Sequence, residues 1–155
     1  MADSTKSKAA WYAAYPVART QNPAAIDRAQ VLQLIKESTG GPQSYVLVDL
    51  RRTDHEGGTI RGSINLPAQS LFPSIPTLYA IFKAAGVEKV IWYCGSSKGR
   101  GTRGAAWFAD HIENEKDDRM QSLVLTEGVR GWATTGEEYT AFMDEYEKNV
   151  WEKSE

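Results

Sequence analysis

The chain has 155 residues, 41% of them hydrophobic and 25% charged, with a formal net charge of -2. That size and balance fit one globular domain with a sizeable core. They exclude the basic excess of a general nucleic-acid binder and the like-charge blocks of a membrane-surface tail, so no nucleic acid and no membrane is expected as partner.

Residues 1–10 lack the apolar core of a signal peptide, and no apolar run reaches membrane-spanning length. A single cysteine, Cys94, excludes an internal disulfide and suits a reducing compartment. The expected location is the cytoplasm, with the nucleus as the other compartment open to it.

Trp11, Tyr12, Tyr15 and Pro16 form an aromatic approach segment. Asp27 with Gln30 has the spacing of a capping box, opening a helix that carries Val31, Leu34 and Ile35 and stops at Gly40, Gly41 and Pro42. Residues 45–50 are a continuous apolar strand interrupted by Asp49. Residues 54–58 are a polar loop with two glycines, and 64–67 a further short run. A helix is predicted from Ser74 or Pro76 to Ala85, with Gly86 as its stop.

Residues 89–93 read as a buried strand and 101 to about 113 as a helix packed through Ala105, Trp107, Phe108 and Ile112. A charged link over 113–119 leads to a strand at 122–125. Residues 127–132 turn the chain, and a last helix over about 137–146 carries Tyr139, Phe142, Met143 and Tyr146. After Lys148 the tail is polar apart from Val150 and Trp151. Trp92, Trp107 and Trp132 are expected in the core, whereas Trp11 and Trp151 either pack on the domain or mark an interaction surface.

Strands alternating with helices, without clean two-residue alternation in the strands, predict an α/β fold with a mostly parallel central sheet flanked by helices on both faces. Ligands in such sheets bind beyond the carboxyl ends of the strands, and Cys94 lies at such an end. The run Cys94, Gly95, Ser96, Ser97, Lys98, Gly99 and Arg100 therefore joins a strand to a helix N-terminus. Unpaired N–H groups and the positive end of the helix dipole favour an anion there, and glycines at 95, 99, 101 and 104 permit a tightly curled backbone. Thiols so placed beside arginine ionise readily, which makes Cys94 a nucleophile and Arg100 an oxyanion holder.

Three segments match one pattern. They are Val48, Asp49, Leu50 and Arg51 with the run from Glu56 through Gly57, Gly58 and Thr59 to Pro67; Tyr93 and Cys94 through Arg100 and Gly101; and Leu125 to Trp132. Together they resemble the rhodanese domain, over roughly residues 26–135. The resemblance implies an N-terminal extension over 1–20, a single rhodanese-like catalytic domain over 21–148 and a C-terminal tail over 149–155. Sulfurtransferases of this superfamily have a loop one residue shorter. M-phase inducer phosphatases and the eukaryotic arsenate reductases have five residues between Cys and Arg, as here, and Ser97, Arg100 and Gly101 match their Cys-x-x-Ser-x-x-Arg-Gly pattern. The departures are Tyr93 and Thr59, where His is usual, Thr102 for Pro, and Glu127 for the first of two glycines.

The resemblance implies a cysteine-dependent phosphatase acting on aryl or phosphotyrosine-type monoesters through a phosphocysteine. Cys94 and Arg100 are catalytic, and Gly95, Ser96, Ser97, Lys98 and Gly99 form the oxyanion-binding loop. The loop itself holds no acid, and Glu56, Asp54 and Glu127 are the candidates for protonating the leaving oxygen. The alternative is an arsenate reductase using the same loop with glutathione as co-substrate and glutaredoxin as partner. A thiosulfate sulfurtransferase and a noncatalytic oxyanion-binding module are further alternatives. No cofactor is expected. Asp49 and Arg51 read as a structural ion pair and Lys98 as a solvated cation. Arg103 stays open between a structural and a functional role. His55 and His111 do not have metal-ligand spacing, so no metal is expected.

Overall fold

The computed structural model describes residues 10–38 and 44–153. The helix stop read at 40–42 lies outside the described residues, as do residues 1–9 of the N-terminal extension.

The elements run β1 (Ala25–Ile26), α1 (Arg28–Glu37), β2 (Tyr45–Asp49), β3 (Thr59–Ile60), β4 (Ile64–Asn65), α2 (Ile75–Ala84), β5 (Lys89–Tyr93), α3 (Arg100–Asn114), β6 (Gln121–Leu125), α4 (Gly128–Ala133), α5 (Glu137–Thr140), β7 (Met143–Asp144) and α6 (Lys148–Lys153). Among the described residues, five strands form one parallel sheet in the order β1-β6-β5-β2-β4. β3 and β7 form a separate antiparallel pair.

Both faces of the sheet are covered, and this is why its strands read as continuous apolar runs. Successive side chains of β5 point to opposite faces. Val90 and Trp92 join Val48, Leu50 and Val124 under α2 and α3, which contribute Ile75, Tyr79, Phe82, Ala105, Trp107, Phe108 and Ile112. Ile91 and Tyr93 join Leu47, Leu123 and Leu125 on the other face, with Val31 and Leu32 of α1, Val129 and Trp132 of α4, and Tyr139. Trp92 and Trp132 are fully buried; a side chain of that kind contributes about 1.5–3 kcal/mol through burial. The capping box forms as read: Gln30 N donates to Asp27 Oδ1 (2.8 Å) and Asp27 N to Gln30 Oε1 (3.0 Å).

Three sequence expectations are corrected. The chain turn read at 127–132 contains a short helix, α4, since Val129, Gly131, Trp132 and Ala133 are all buried against the sheet. The last helix read over 137–146 stops at Thr140, and Met143–Asp144 pairs with Thr59–Ile60. Spacing alone did not separate Phe142 and Met143 from a helical stripe, because what selects the strand is a distant edge at residues 59–60. The tail read after Lys148 contains α6, and Trp151 is buried with its Nε1 donating to Gly57 O (2.8 Å).

The N-terminal segment is likewise part of the domain from Trp11 onward. Trp107 Nε1 donates to Pro16 O (3.0 Å), and Trp11 and Tyr15 meet the Trp107 ring edge-on at centroid distances of 6.1 and 5.8 Å. Asp110 accepts the backbone N–H groups of Arg19 (2.7 Å) and Thr20 (3.0 Å).

At the carboxyl end of β2 the expected Asp49 and Arg51 ion pair is present and buried, with both side chains almost fully excluded from solvent. Arg51 Nε and Nη2 hold the Asp49 carboxylate at 2.8–3.2 Å, while Nη1 and Nη2 also donate to the carbonyls of Glu56 (3.0 Å) and Gly58 (2.8 Å). Asp49→Asn leaves the Arg51 charge buried without its partner. Chemical denaturation is expected to show a loss of about 3–5 kcal/mol. A loss below about 1 kcal/mol would remove the pair from its organising role.

Candidate functional site

Cys94 follows the last residue of β5 and is a buried free thiol. The backbone then curls so that Gly101 N, in the first turn of α3, donates to Cys94 Sγ at 3.3 Å. The curl passes through Ser97, which takes the left-handed conformation with φ 65°. Its hydroxyl accepts from Cys94 N (3.4 Å) and its carbonyl from Thr102 Oγ1 (2.6 Å). Thr102, where the resembling families usually have Pro, is thus the clamp on the strained residue. Lys98 is exposed, as read from the sequence.

The opposite side of the loop is fixed by α4. Val129 N donates to Cys94 O (3.1 Å) and Arg130 N to Gly95 O (3.0 Å), so the first amides of that helix anchor the loop carbonyls. This approach requires glycine at 128. Its φ is +57°, and a Cβ there would fall on Cys94 O and Gly95 O. Gly128→Ala is expected to lower stability by roughly 2–3 kcal/mol in a denaturant titration and to loosen the loop. An unchanged midpoint with unaltered Cys94 alkylation kinetics would contradict that close packing.

Arg100 comes from the first residue of α3. Its Nη1 and Nη2 donate to Asp54 Oδ1 (2.9 Å) and Oδ2 (2.6 Å) in a bidentate pair. The Arg100 hydrogen bonds hold the Asp54 carboxyl well below the usual carboxylate range, and Asp54 in turn raises the Arg100 guanidinium. The nearby Cys94 thiol adds a smaller electrostatic contribution to that upward push on Arg100.

Of the three candidate acids, the fold brings only Asp54 onto Arg100. Glu56 is exposed and gives its backbone carbonyl to Arg51. Glu127 is itself left-handed (φ 64°) and pairs with Arg28 at 3.2 Å, on the α1 side of α4. It does not line the cleft above Cys94.

Tyr93 and Thr59, the two positions where His is usual, touch each other. The Tyr93 hydroxyl lies 2.7 Å from Thr59 Oγ1 and 2.6 Å from Ser63 Oγ, and it accepts from Ile60 N (3.2 Å). Thr59 Oγ1 donates to Asp49 Oδ2 (2.8 Å), which leaves it to accept from Tyr93. Burial, with the Asp49 charge nearby, pushes the Tyr93 phenol upward. Tyr93 is therefore a neutral structural donor.

The cleft over Cys94 has a volume of about 360 Å³ and is lined by Trp11, Tyr12, Gln69, Cys94, Ser96, Gly99, Arg100 and Arg103. Sequence reasoning assigned no site role to Trp11, Tyr12 or Gln69 and left Arg103 open. The available signal was the three-residue spacing of Arg103 from Arg100, which puts both on one face of α3. Among the described residues no three His, Cys, Asp or Glu side chains gather to hold a metal ion, and no helix is long and apolar enough to cross a membrane.

This strand, loop and helix arrangement recurs in known proteins. The rhodanese-like domain family matches residues 28–135. The chain belongs to that family. Arsenical-resistance protein 2 of Saccharomyces cerevisiae is 29% identical to this rhodanese-like protein over 99 residues, spanning 59% of this chain and 76% of the yeast protein. The structure of Ygr203w, a yeast protein tyrosine phosphatase of the rhodanese family, superposes with a TM-score of 0.70 at 20% identity, covering 85% of this chain and 99% of that one. The As-Sb reductase from Leishmania major superposes with a TM-score of 0.59 at 22% identity, covering 69% of this chain and 73% of the reductase. The structural likenesses establish the rhodanese fold, with its mostly parallel sheet and flanking helices.

Proposed function

We propose that this rhodanese-like domain is a cysteine-dependent phosphatase that hydrolyses aryl or phosphotyrosine-type phosphomonoesters through a phosphocysteine. The observation that carries this reading is the pair of groups at one loop: Cys94 Sγ held by the Gly101 amide, and Arg100 already presenting both Nη atoms to two carboxylate oxygens. That fork fits two oxygens of a phosphoryl group equally well.

In the first step the Cys94 thiolate attacks phosphorus, the S–P bond forms and the P–O bond to the leaving alcohol breaks. Arg100 and the first-turn amides of α3 stabilise the charge that spreads over the equatorial oxygens. In the second step water attacks phosphorus, the S–P bond breaks, and phosphate and the thiolate are released. The leaving oxygen needs a proton, and Asp54 is the acid we assign. While it pairs with Arg100 it is ionised. When the phosphoryl group takes Arg100, Asp54 loses its cation and faces new negative charge, so it takes up the proton carried by the monoanionic ester and passes it to the leaving oxygen as the P–O bond breaks.

Two measurements test this. Cys94→Ser is expected to abolish release of p-nitrophenol from its phosphate while leaving phosphate binding intact; hydrolysis surviving in the variant would remove Cys94 from the mechanism. Asp54→Asn removes an internal competitor for Arg100, so the KM for p-nitrophenyl phosphate is expected to fall several-fold with kcat nearly unchanged. For phenyl phosphate, a poorer leaving group, kcat is expected to fall by about 10²-fold, the lower end for loss of a general acid. The folded-state Asp54 lies below the ~3.9 of free aspartate, so the pair is whole above that range and breaks only as pH falls through the depressed value. The KM ratio of the two proteins should accordingly stay flat from about pH 5 to 8.

A second reading, glutathione-dependent arsenate reduction, is favoured by the relation to Arsenical-resistance protein 2. Arsenate has the shape and charge of phosphate and would occupy the same loop. With a single cysteine in the chain, the thiol that resolves the adduct must then come from glutathione, with glutaredoxin as partner. Glutathione-dependent arsenite formation without aryl phosphate hydrolysis would decide for this reading.

A further inference from the structure

The cleft is larger than the oxyanion loop at its base, and the wall facing that loop has a chemistry of its own. A volume of about 360 Å³ compares with the roughly 30 Å³ that a single water occupies, so the cleft leaves space beside a bound phosphoryl group. Among the described residues, two side chains of the wall have polar groups without a polar partner. Arg103 lines the cleft with its guanidinium 3.5 Å above the Tyr12 ring centroid, and among the described residues no carboxylate pairs with it. Gln69 Oε1 is buried without a hydrogen-bond partner. Buried amide groups are normally satisfied, so an amide without a partner in a cleft suits a ligand that supplies one. Since its carbonyl is not held, the amide is free to turn and present its NH2 group to an acceptor.

The wall is built, not incidental. Tyr12 belongs to the short 3-10 turn Trp11–Ala14, whose Trp11 packs on Trp107 of α3. The Tyr15 hydroxyl donates to Gln69 O (3.3 Å), tying the segment that holds Tyr12 to the one that holds Gln69. Arg103 lies one helical turn beyond Arg100, and the two residues line the same cleft. Arg100 is occupied by Asp54, whereas Arg103 is stacked on an aromatic face and, among the described residues, no carboxylate takes its donors.

Resting on the phosphatase reading, we propose that Arg103, oriented by Tyr12 and joined by Gln69, is a specificity-determining subsite for a second anionic oxygen group, making the preferred substrates aryl phosphates that carry an acidic substituent. The scissile phosphoryl group sits on Cys94 and Arg100. The aryl ring of the leaving group lies against Trp11 and Tyr12, and its carboxylate or second phosphoryl group takes the Arg103 fork. A neutral aryl phosphate uses only the first half of the cleft.

The test compares 4-carboxyphenyl phosphate with p-nitrophenyl phosphate on wild type, Arg103→Gln and Arg103→Lys. In R103Q the ratio of kcat/KM values, acidic over neutral, is expected to fall about tenfold, mostly through KM, as suits the loss of one charge-assisted contact. An unchanged denaturation midpoint reports that the variant is folded, while R103K should retain most of the ratio because the charge persists. A ratio that R103Q leaves unchanged overturns the subsite. Should wild type turn over neither ester, the phosphatase reading fails by itself, and the subsite is then judged without turnover. Protection of Cys94 from iodoacetamide is compared for 4-carboxyphenylphosphonate and phenylphosphonate. Stronger protection by the acidic phosphonate in wild type, lost in R103Q, supports the subsite; equal protection by the two overturns it.

Discussion

The site depends on one buried ion pair, Asp49 with Arg51, at the carboxyl end of β2. Isolating two charges from water is unfavourable unless their remaining hydrogen-bonding capacity is met, and here it is met almost completely. Asp49 accepts from Arg51, from the Arg51 backbone amide and from Thr59, with His55 Nε2 at 3.5 Å, while Arg51 reaches the carbonyls of Glu56 and Gly58. The pair therefore shapes the loop that carries Asp54 toward Arg100. Through Thr59 it also fixes the hydroxyl of Tyr93, the residue immediately before Cys94. The strand end, the loop that bears Asp54 and the residue before Cys94 are connected by a continuous hydrogen-bonded path.

A site held in this way is preorganised for one task. The loop carbonyls of Cys94 and Gly95 are fixed by α4, the left-handed Ser97 by Thr102, and the sulfur by Gly101. Little reorganisation is left for the moment when charge develops, which is the condition under which fixed dipoles stabilise a transition state most effectively. The strained φ at Ser97 is compatible with this because its neighbours over-determine it.

How much of this was legible follows from what each signal depended on. The parallel sheet, the capping box at Asp27 and Gln30, and the strand, loop and helix around Cys94 all came from local patterns, and local patterns suffice where propensity and packing agree. Phe142 and Met143 failed as a helical stripe because their conformation is chosen by pairing with Thr59 and Ile60, far away in sequence. Trp151 looked like part of a polar tail because its burial depends on Gly57. At the site, the loop from Cys94 to Arg100 between strand and helix was plain, but the partner of Arg100 was not. Asp54, Glu56 and Glu127 are equivalent carboxylates in a sequence, and only the path of the 52–58 loop and the handedness at Glu127 send one to the arginine and another to Arg28. The departures Tyr93 and Thr59 looked independent when read singly, yet in space they are two ends of one hydrogen bond.

The Asp54 and Arg100 pair also bears on selectivity. An internal carboxylate that satisfies the arginine lowers the population of protein ready to bind, and every ligand's apparent affinity falls by that fraction. The reduction is the same for all ligands, so discrimination arises from what each gains once Arg100 is free. A monoanionic carboxylate ligand only replaces one carboxylate with another. A tetrahedral dianion keeps the bidentate contact and adds oxygens for the first-turn amides of α3. The pair therefore raises the threshold for every anion alike, and only a ligand that gains more than Asp54 supplies, as a phosphate-shaped anion does through its additional oxygens, occupies the loop.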